Sequence, residues 1–266
     1  KYLFLMKTFV SNNFLSQQFI RIMSTSFIST ALTEVNLNIQ KAFQVSLKVH
    51  GNLQVMPTLI VVSKTKPPEM LIEAYNHGQR DFGENYVQEL VQKASHLKNL
   101  GYNDIRWHFI GSLQRNKVNN LLDVENLFAV HTVGSIKLAD ALDKSWAKKN
   151  TGTQLNVFIQ VNTSAEENKG GCEPNECVSL AKHILNSCKS LSLYGLMTIG
   201  LFDYDYSQGP NPDFLCLSKC RQDVCTSCGI EENNLMLSMG MSNDYQEAIS
   251  AGSTHVRIGS LIFGAR

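Results

Sequence analysis

Cysteine is missing from the first 171 residues, acidic residues are missing from the first 30, and no apolar run is long enough to cross a membrane as a helix. Charge of one sign is not in excess either. The formal net charge is +1, so the balance points to neither a nucleic-acid nor a membrane surface. There is no low-complexity linker and no short repeat. No GxGxxG follows the first strand-like run, which removes the usual phosphate loop of an open dinucleotide-binding sheet. The seven cysteines all lie between Cys172 and Cys228. An odd number confined to one stretch of a 266-residue chain is a poor disulfide framework and suits a reducing compartment. Cys216, Cys220, Cys225 and Cys228 include one CxxC, but no second CxxC or paired histidine completes a zinc ligand set. Packing of these side chains as small apolar groups on one helix is the expected arrangement.

The acid-free stretch over residues 1–30 carries Lys1, Lys7 and Arg21 among many Ser, Thr, Phe and Ile, a composition shared with organelle transit segments. A disordered tail, or a natural start at Met23, fits it equally. The expected location is therefore cytoplasmic, or mitochondrial or plastid if the segment targets.

With 43% hydrophobic and 18% charged residues the chain has material for a sizeable core. Eight short, β-branched apolar runs alternate with helix-like segments: 58–64, 80–85, 106–111, 127–133, 155–162, 193–200, 234–240 and 255–260. Nearly continuous apolar runs suit parallel strands covered on both faces. Helices are expected from Glu69 behind Pro67–Pro68, over Ser135–Lys149, over Glu173–Lys189 and over Asn243–Ala251, with one more over Ala31–Val49 before the first strand. Eight strand–helix units after a leading helix predict a single α/β domain over residues 31–266, a (β/α)₈ barrel with one extra N-terminal helix.

In such a barrel, chemistry collects where the strands end, because the βα loops meet there. The runs end at Lys64, Glu84–Asn85, Gly111–Ser112, His131–Thr132, Asn162–Thr163, Thr198, Ser238–Ser242 and Arg257–Ser260, a polar and glycine-rich rim. Lys64 is the sharpest of these. Desolvation at the end of a buried strand disfavours its charged form, and a neutral amine is the nucleophile a Schiff base requires. A lysine that snorkels to solvent is the competing reading. Gly259 and Ser260 leave backbone N–H groups available to a phosphate, and Arg257 points to the same side by strand alternation. The stretch Ser238–Asn243 brings hydroxyls, a glycine and the start of the next helix to the same place. Ordinary turn chemistry also favours these residues. Asn85 either meets a polar ring substituent or caps the helix after it. Arg115 and Lys117 either hold a second anion or form a solvated helix start.

LIVVSKTKP (59–67), DFGENYVQE (81–89), WHFIGSLQRNK (107–117), VNTSAEENKGG (161–171), GLMTIG (195–200) and the final LSMGMSNDYQEAISAGSTHVRIGSLIFGAR (237–266) occur together and in this order. The set resembles the pyridoxal 5′-phosphate (PLP) homeostasis proteins, which are related to the N-terminal barrel of alanine racemase. The resemblance implies PLP as cofactor, with Lys64 carrying it as a Schiff base. It implies that Arg257 faces the pyridine nitrogen, that Ser242, Gly259 and Ser260 bind the phosphate, and that Asn85 and Met241 lie along the ring. It further implies a monomeric carrier or regulator of PLP supply with PLP-requiring apo-enzymes as recipients, and with neither nucleic acid nor membrane as partner. Racemases of this type add a β-rich domain with an opposite-face tyrosine. This sequence stops at Arg266, so weak racemase activity at most is expected. A PLP-dependent amino-acid racemase and a phosphate-binding barrel without PLP are the competing functions.

Overall fold

The computed structural model describes residues 27–48, 55–166, 169–201 and 203–265. Eight parallel strands close on themselves in sequence order: β1 (Thr58–Val62), β2 (Asp81–Glu84), β3 (Arg106–Phe109), β4 (Leu127–Val133), β5 (Leu155–Gln160), β6 (Leu191–Met197), β7 (Met236–Ser238) and β8 (His255–Ile258). Closure is made by β8 against β1, with Thr58 opposite His255 and Val61 opposite Ile258. Every predicted run overlaps one strand; β4 coincides with its run, β6 starts two residues earlier at Leu191, and all but β4 stop short of the run's end at the rim, where the chain turns out of the ladder.

Among the described residues nine helices surround the barrel. A helix over 27–48, α1, precedes β1. The others are α2 (Pro68–Asn76), α3 (Val87–Asn99), α4 (Val118–Leu122), α5 (Ile136–Ala147), α6 (Cys177–Ser187), α7 (Pro212–Cys228), α8 (Tyr245–Ser250) and α9 (Ser260–Phe263). The leading helix begins before Ala31, because Ile28 and Leu32 share one buried stripe with Val35 and Ile39. The reading of residues 1–26 as tail or targeting segment, and of Val49, falls outside the described residues. Local signals place the ends well. Ser135 Oγ accepts a hydrogen bond from Leu138 N at the start of α5, and Asn211 Oδ1 accepts from Asp213 N at the start of α7. Gly229, left-handed at φ 67°, ends α7.

Strand alternation divides the side chains into two sets. Leu59, Val61, Phe82, Trp107, Phe109, Val130, Val157, Ile159, Leu196, Leu237, Val256 and Ile258 join the helices in one large buried core. A separate small cluster of Ala129, Phe158 and Met197 lies inside the barrel. The ring of His131 stacks on Phe158 there at a centroid distance of 3.9 Å. The four cysteines of α7 pack against the core, Cys220 and Cys225 buried and Cys216 and Cys228 partly so, and all are free thiols. Among the described residues they form no metal-ligand group.

Phe158 fits inside the barrel because its neighbour on β6 is Gly195. A Cβ at Gly195 would lie 2.4 Å from Met236 O and 2.6 Å from the Phe158 ring. Gly195→Val should therefore destabilise the fold by about 1–3 kcal/mol or more through overpacking. Urea unfolding measures this, and a midpoint equal to that of the unsubstituted protein would contradict the packing described.

Candidate functional site

The C-terminal ends of the strands enclose a cavity of about 480 Å³. Its wall contains Lys64, Asn85, Met241, Ser242, Arg257, Gly259 and Ser260, the seven residues that the sequence resemblance assigns to the cofactor. Ile110, Met197, Ile199 and Leu201 supply apolar surface. A wider groove of about 940 Å³ runs along α7 outside the barrel, and none of the seven residues borders it. Arg115 and Lys117 form an exposed 3₁₀ turn away from the cavity.

The turn that carries Lys64 is held from below. Ser63 Oγ donates to Glu84 Oε1 at 2.7 Å. The ammonium of Lys93, on α3, donates at 2.7 Å each to Ser63 O, Glu84 Oε1 and Glu89 Oε1. Glu89 also accepts from the backbone N–H of Thr65 at 2.6 Å. Burial pushes the Glu84 carboxyl up, and the ammonium of Lys93 opposes that shift. Thr65 adopts the left-handed region at φ 63°, a strained conformation for a β-branched residue. The Lys93 and Glu89 contacts on both sides of this turn set the direction in which the chain leaves β1. The second lysine of the motif, Lys66, is committed elsewhere. Its ammonium donates to Phe263 O, Gly264 O and Ala265 O at 3.1–3.2 Å.

Arg257 is almost fully buried, and desolvation pulls its guanidinium down to about 10, still cationic at neutral pH. One nitrogen donates to Ser238 Oγ at 2.9 Å and another to Thr198 O at 2.9 Å. From Ser238 a chain of hydrogen bonds runs down the barrel axis: Ser238 Oγ to His131 Nδ1 at 3.2 Å, His131 Nε2 to His108 Nδ1 at 3.0 Å, and His108 Nε2 to Asp81 Oδ1 at 3.0 Å. Asp81 also accepts from Arg106 Nε at 2.7 Å. Burial pushes the Asp81 carboxyl up, but the hydrogen bonds from Arg106 and His108, together with the positive charge of Arg106, outweigh it and leave Asp81 at about 2, so it is ionised and only accepts. His108 must then donate from Nε2 and accept at Nδ1, and His131 must do the same. Ser238 donates to His131 and accepts from Arg257. One proton arrangement thus satisfies the whole chain with both imidazoles neutral, and burial holds both below the ordinary histidine range.

Just beyond Arg257, Ser260 Oγ and Ser242 Oγ are 2.9 Å apart, joining the ends of β8 and β7. Asp244 accepts from Met241 N at 2.6 Å, which fixes the turn between them. Two sequence readings change here. Asn85 does not cap a helix: α3 begins at Val87 behind Tyr86, no side-chain cap is made, and Asn85 Oδ1 is buried without a hydrogen-bond partner. Gly259 is required for a reason besides room at the cavity, since a Cβ there would lie 2.9 Å from Val62 O on β1. Gly259→Val therefore tests barrel closure as well as any bound anion.

This geometry, a parallel (β/α)₈ barrel with a lysine ending β1 and a buried arginine on β8 facing one cavity, defines a class of cofactor-type barrel. Residues 48–266 match the family described as alanine racemase, N-terminal domain. The pyridoxal phosphate homeostasis protein of Homo sapiens is 50% identical over 240 residues, covering 90% of this chain and 86% of that one. The protein of the same name from Haemophilus influenzae is 41% identical over 234 residues, covering 87% and 94%. Among solved structures, PipY of Synechococcus elongatus with PLP bound superimposes with a TM-score of 0.69 at 28% identity, covering 84% of this chain and all of that one. The chain belongs to the alanine racemase N-terminal domain family and, within it, to the pyridoxal phosphate homeostasis proteins.

Three buried histidines make the site's support pH-sensitive. Burial also holds His255 down, to about 3. In the unfolded chain each imidazole returns to about 6.5. Below that pH the unfolded state takes up protons that the native state does not, so stability falls as pH drops. Asp81, near 2, adds to the loss only below about pH 4. The urea midpoint should accordingly decrease steadily from pH 7.5 to pH 5.5, and a flat profile would contradict the neutral histidine core.

Proposed function

We propose that this chain holds pyridoxal 5′-phosphate as a Schiff base on Lys64 and serves intracellular PLP homeostasis, as a monomer that takes up the cofactor and yields it to PLP-requiring apo-enzymes. One observation carries the reading: Lys64 and Arg257 border the same cavity as the Ser242–Ser260 hydroxyl pair. The cavity's size lies within the range of small-ligand pockets. Asn85 Oδ1 is a buried acceptor awaiting a donor, which the ring hydroxyl of PLP supplies. Ser242 and Ser260 offer neutral donors to the phosphate, with Gly259 between strand end and helix. Met241 and the apolar wall cover the ring.

When bound, PLP provides an aldehyde for an amine and a ring that withdraws electrons. The protein's own groups decide how far that chemistry goes. Lys64 supplies the amine, and the three carbonyl bonds of Lys66 keep that side chain from competing. Arg257 stays cationic and has no proton to give up at neutral pH, so a ring nitrogen beside it is left unprotonated. That makes the ring a weak electron sink and favours storage over turnover. Among the described residues no helix is long and apolar enough to cross a membrane. The proposed location is the cytoplasm, or a mitochondrion or plastid if residues 1–30 act as a transit segment.

Borohydride reduction of the holo-protein followed by peptide mapping should place the pyridoxyl group on Lys64. A label on Lys66, or on no lysine, would sink the assignment. Incubation with L-alanine and other L-amino acids in D₂O should show slow α-proton loss and little D-isomer. Turnover on the order of 1 s⁻¹ or more, abolished in Lys64→Ala, would make a racemase the better reading.

A further inference from the structure

At the opposite end of the barrel from the cavity, the outer helical layer brings together a carboxylate, an imidazole and a thiol. Asp140 lies on α5, His183 on α6, and Cys188 is the residue that ends α6, shortly before β6 begins at Leu191. One ligand atom from each falls within 4.8 Å of the others, and His183 Nε2 is 2.6 Å from Asp140 Oδ1. The other end of β6, Met197, reaches the cofactor cavity, so the two places are separated by the length of a strand.

We propose that Asp140, His183 and Cys188 form a zinc site that clips α5 to α6, with solvent as the fourth ligand. The donor set selects the ion. One thiolate and one imidazole favour a borderline-soft dication, and a single carboxylate is too few oxygens for calcium or magnesium. In a tetrahedral zinc site, neighbouring donor atoms lie about 3.4–3.6 Å apart. To reach that spacing the Asp140–His183 pair opens by about an ångström, and Cys188, within 4.8 Å of both, closes by no more than about 1.4 Å. Asp140 has an exposed side chain and His183 a partly exposed one, so both can shift and the ion has access from solvent.

Cys188 itself is 2% exposed. Asp143 and Asp140 both lie near its thiol. Asp143 is held in place by accepting from Ser190 N at 2.6 Å. Two carboxylates beside a buried thiol make a locally anionic pocket, which a dication neutralises. Binding replaces the S–H bond by a Zn–S bond, and the displaced proton leaves to solvent. This site differs from the cysteine cluster of α7, which contributes none of its ligands.

The test uses holo-protein stripped of adventitious metal by a chelator and then titrated with Co²⁺ as a spectroscopic stand-in. A cobalt–thiolate charge-transfer band and tetrahedral visible absorption should appear and be displaced by equimolar Zn²⁺, with release of one proton per ion. Cys188→Ser and His183→Gln should each abolish these signals, whereas Cys225→Ser should keep them. Asp140→Asn alters an exposed side chain and should stay folded by circular dichroism while binding zinc roughly tenfold or more weakly. Zinc should raise the Tm of the unsubstituted protein and of Cys225→Ser but not of the ligand variants. Absence of the cobalt band in the unsubstituted protein, or its persistence in either Cys188→Ser or His183→Gln, would overturn the proposal.

Discussion

Burying a guanidinium inside a barrel costs several kcal/mol unless its donors are matched by acceptors. Arg257 meets that condition through Thr198 O and Ser238 Oγ, and Ser238 in turn depends on His131, His108 and Asp81. The chain of bonds is directional. With Asp81 ionised and burial keeping both histidines neutral, it is complete with the proton on Nε2 of each. The charge that faces the cavity is thereby tied to a carboxylate at the other end of the barrel axis, where Arg106 anchors it. The barrel interior is built around this line of polar groups, with Phe158 stacked on His131 and Gly195 cut away to admit it.

A second buried charge does comparable work at Lys64. Lys93 and Glu84 are an ion pair with almost no solvent contact, and both touch Ser63, the residue before the proposed Schiff-base lysine. Such a pair contributes modestly to net stability, but losing one partner strands the other charge at a cost of roughly 3–5 kcal/mol. Its role here is positional. It holds Ser63 from β2 and α3 while Glu89 holds Thr65 in its left-handed turn. The two charged systems meet the cavity from neighbouring strands, β1 and β8, one presenting an amine and the other a permanent cation. A ring system held by Lys64 and Arg257, as proposed, would have its orientation set by parts of the chain that never touch it.

Much of this was legible in the sequence. Eight strands followed from apolar runs such as TLIVV and LNVFIQ, because parallel strands covered on both faces have no polar side to hide. The rim residues followed from where those runs stop. The support did not follow. Nothing in the spacing of Asp81, His108, His131 and Ser238 announces a single hydrogen-bonded line, since it depends on register between β2, β3, β4 and β7. Lys93 reads as a solvated helix lysine until α3 is packed on β2. Asn85 has the right type and place for an N-cap, and only the start of α3 at Val87 shows its carbonyl unused. Gly259 invited a reading about ligand approach, whereas its nearest neighbour is the backbone of Val62.

The central claim is that an always-charged arginine, held by the axial hydrogen-bond chain, faces the nitrogen of a bound pyridine ring. Loading the protein with PLP labelled with ¹⁵N in the ring and recording the nitrogen chemical shift at neutral pH tests it directly. The account predicts the shift of an unprotonated, hydrogen-bond-accepting pyridine. The shift of a pyridinium would contradict it.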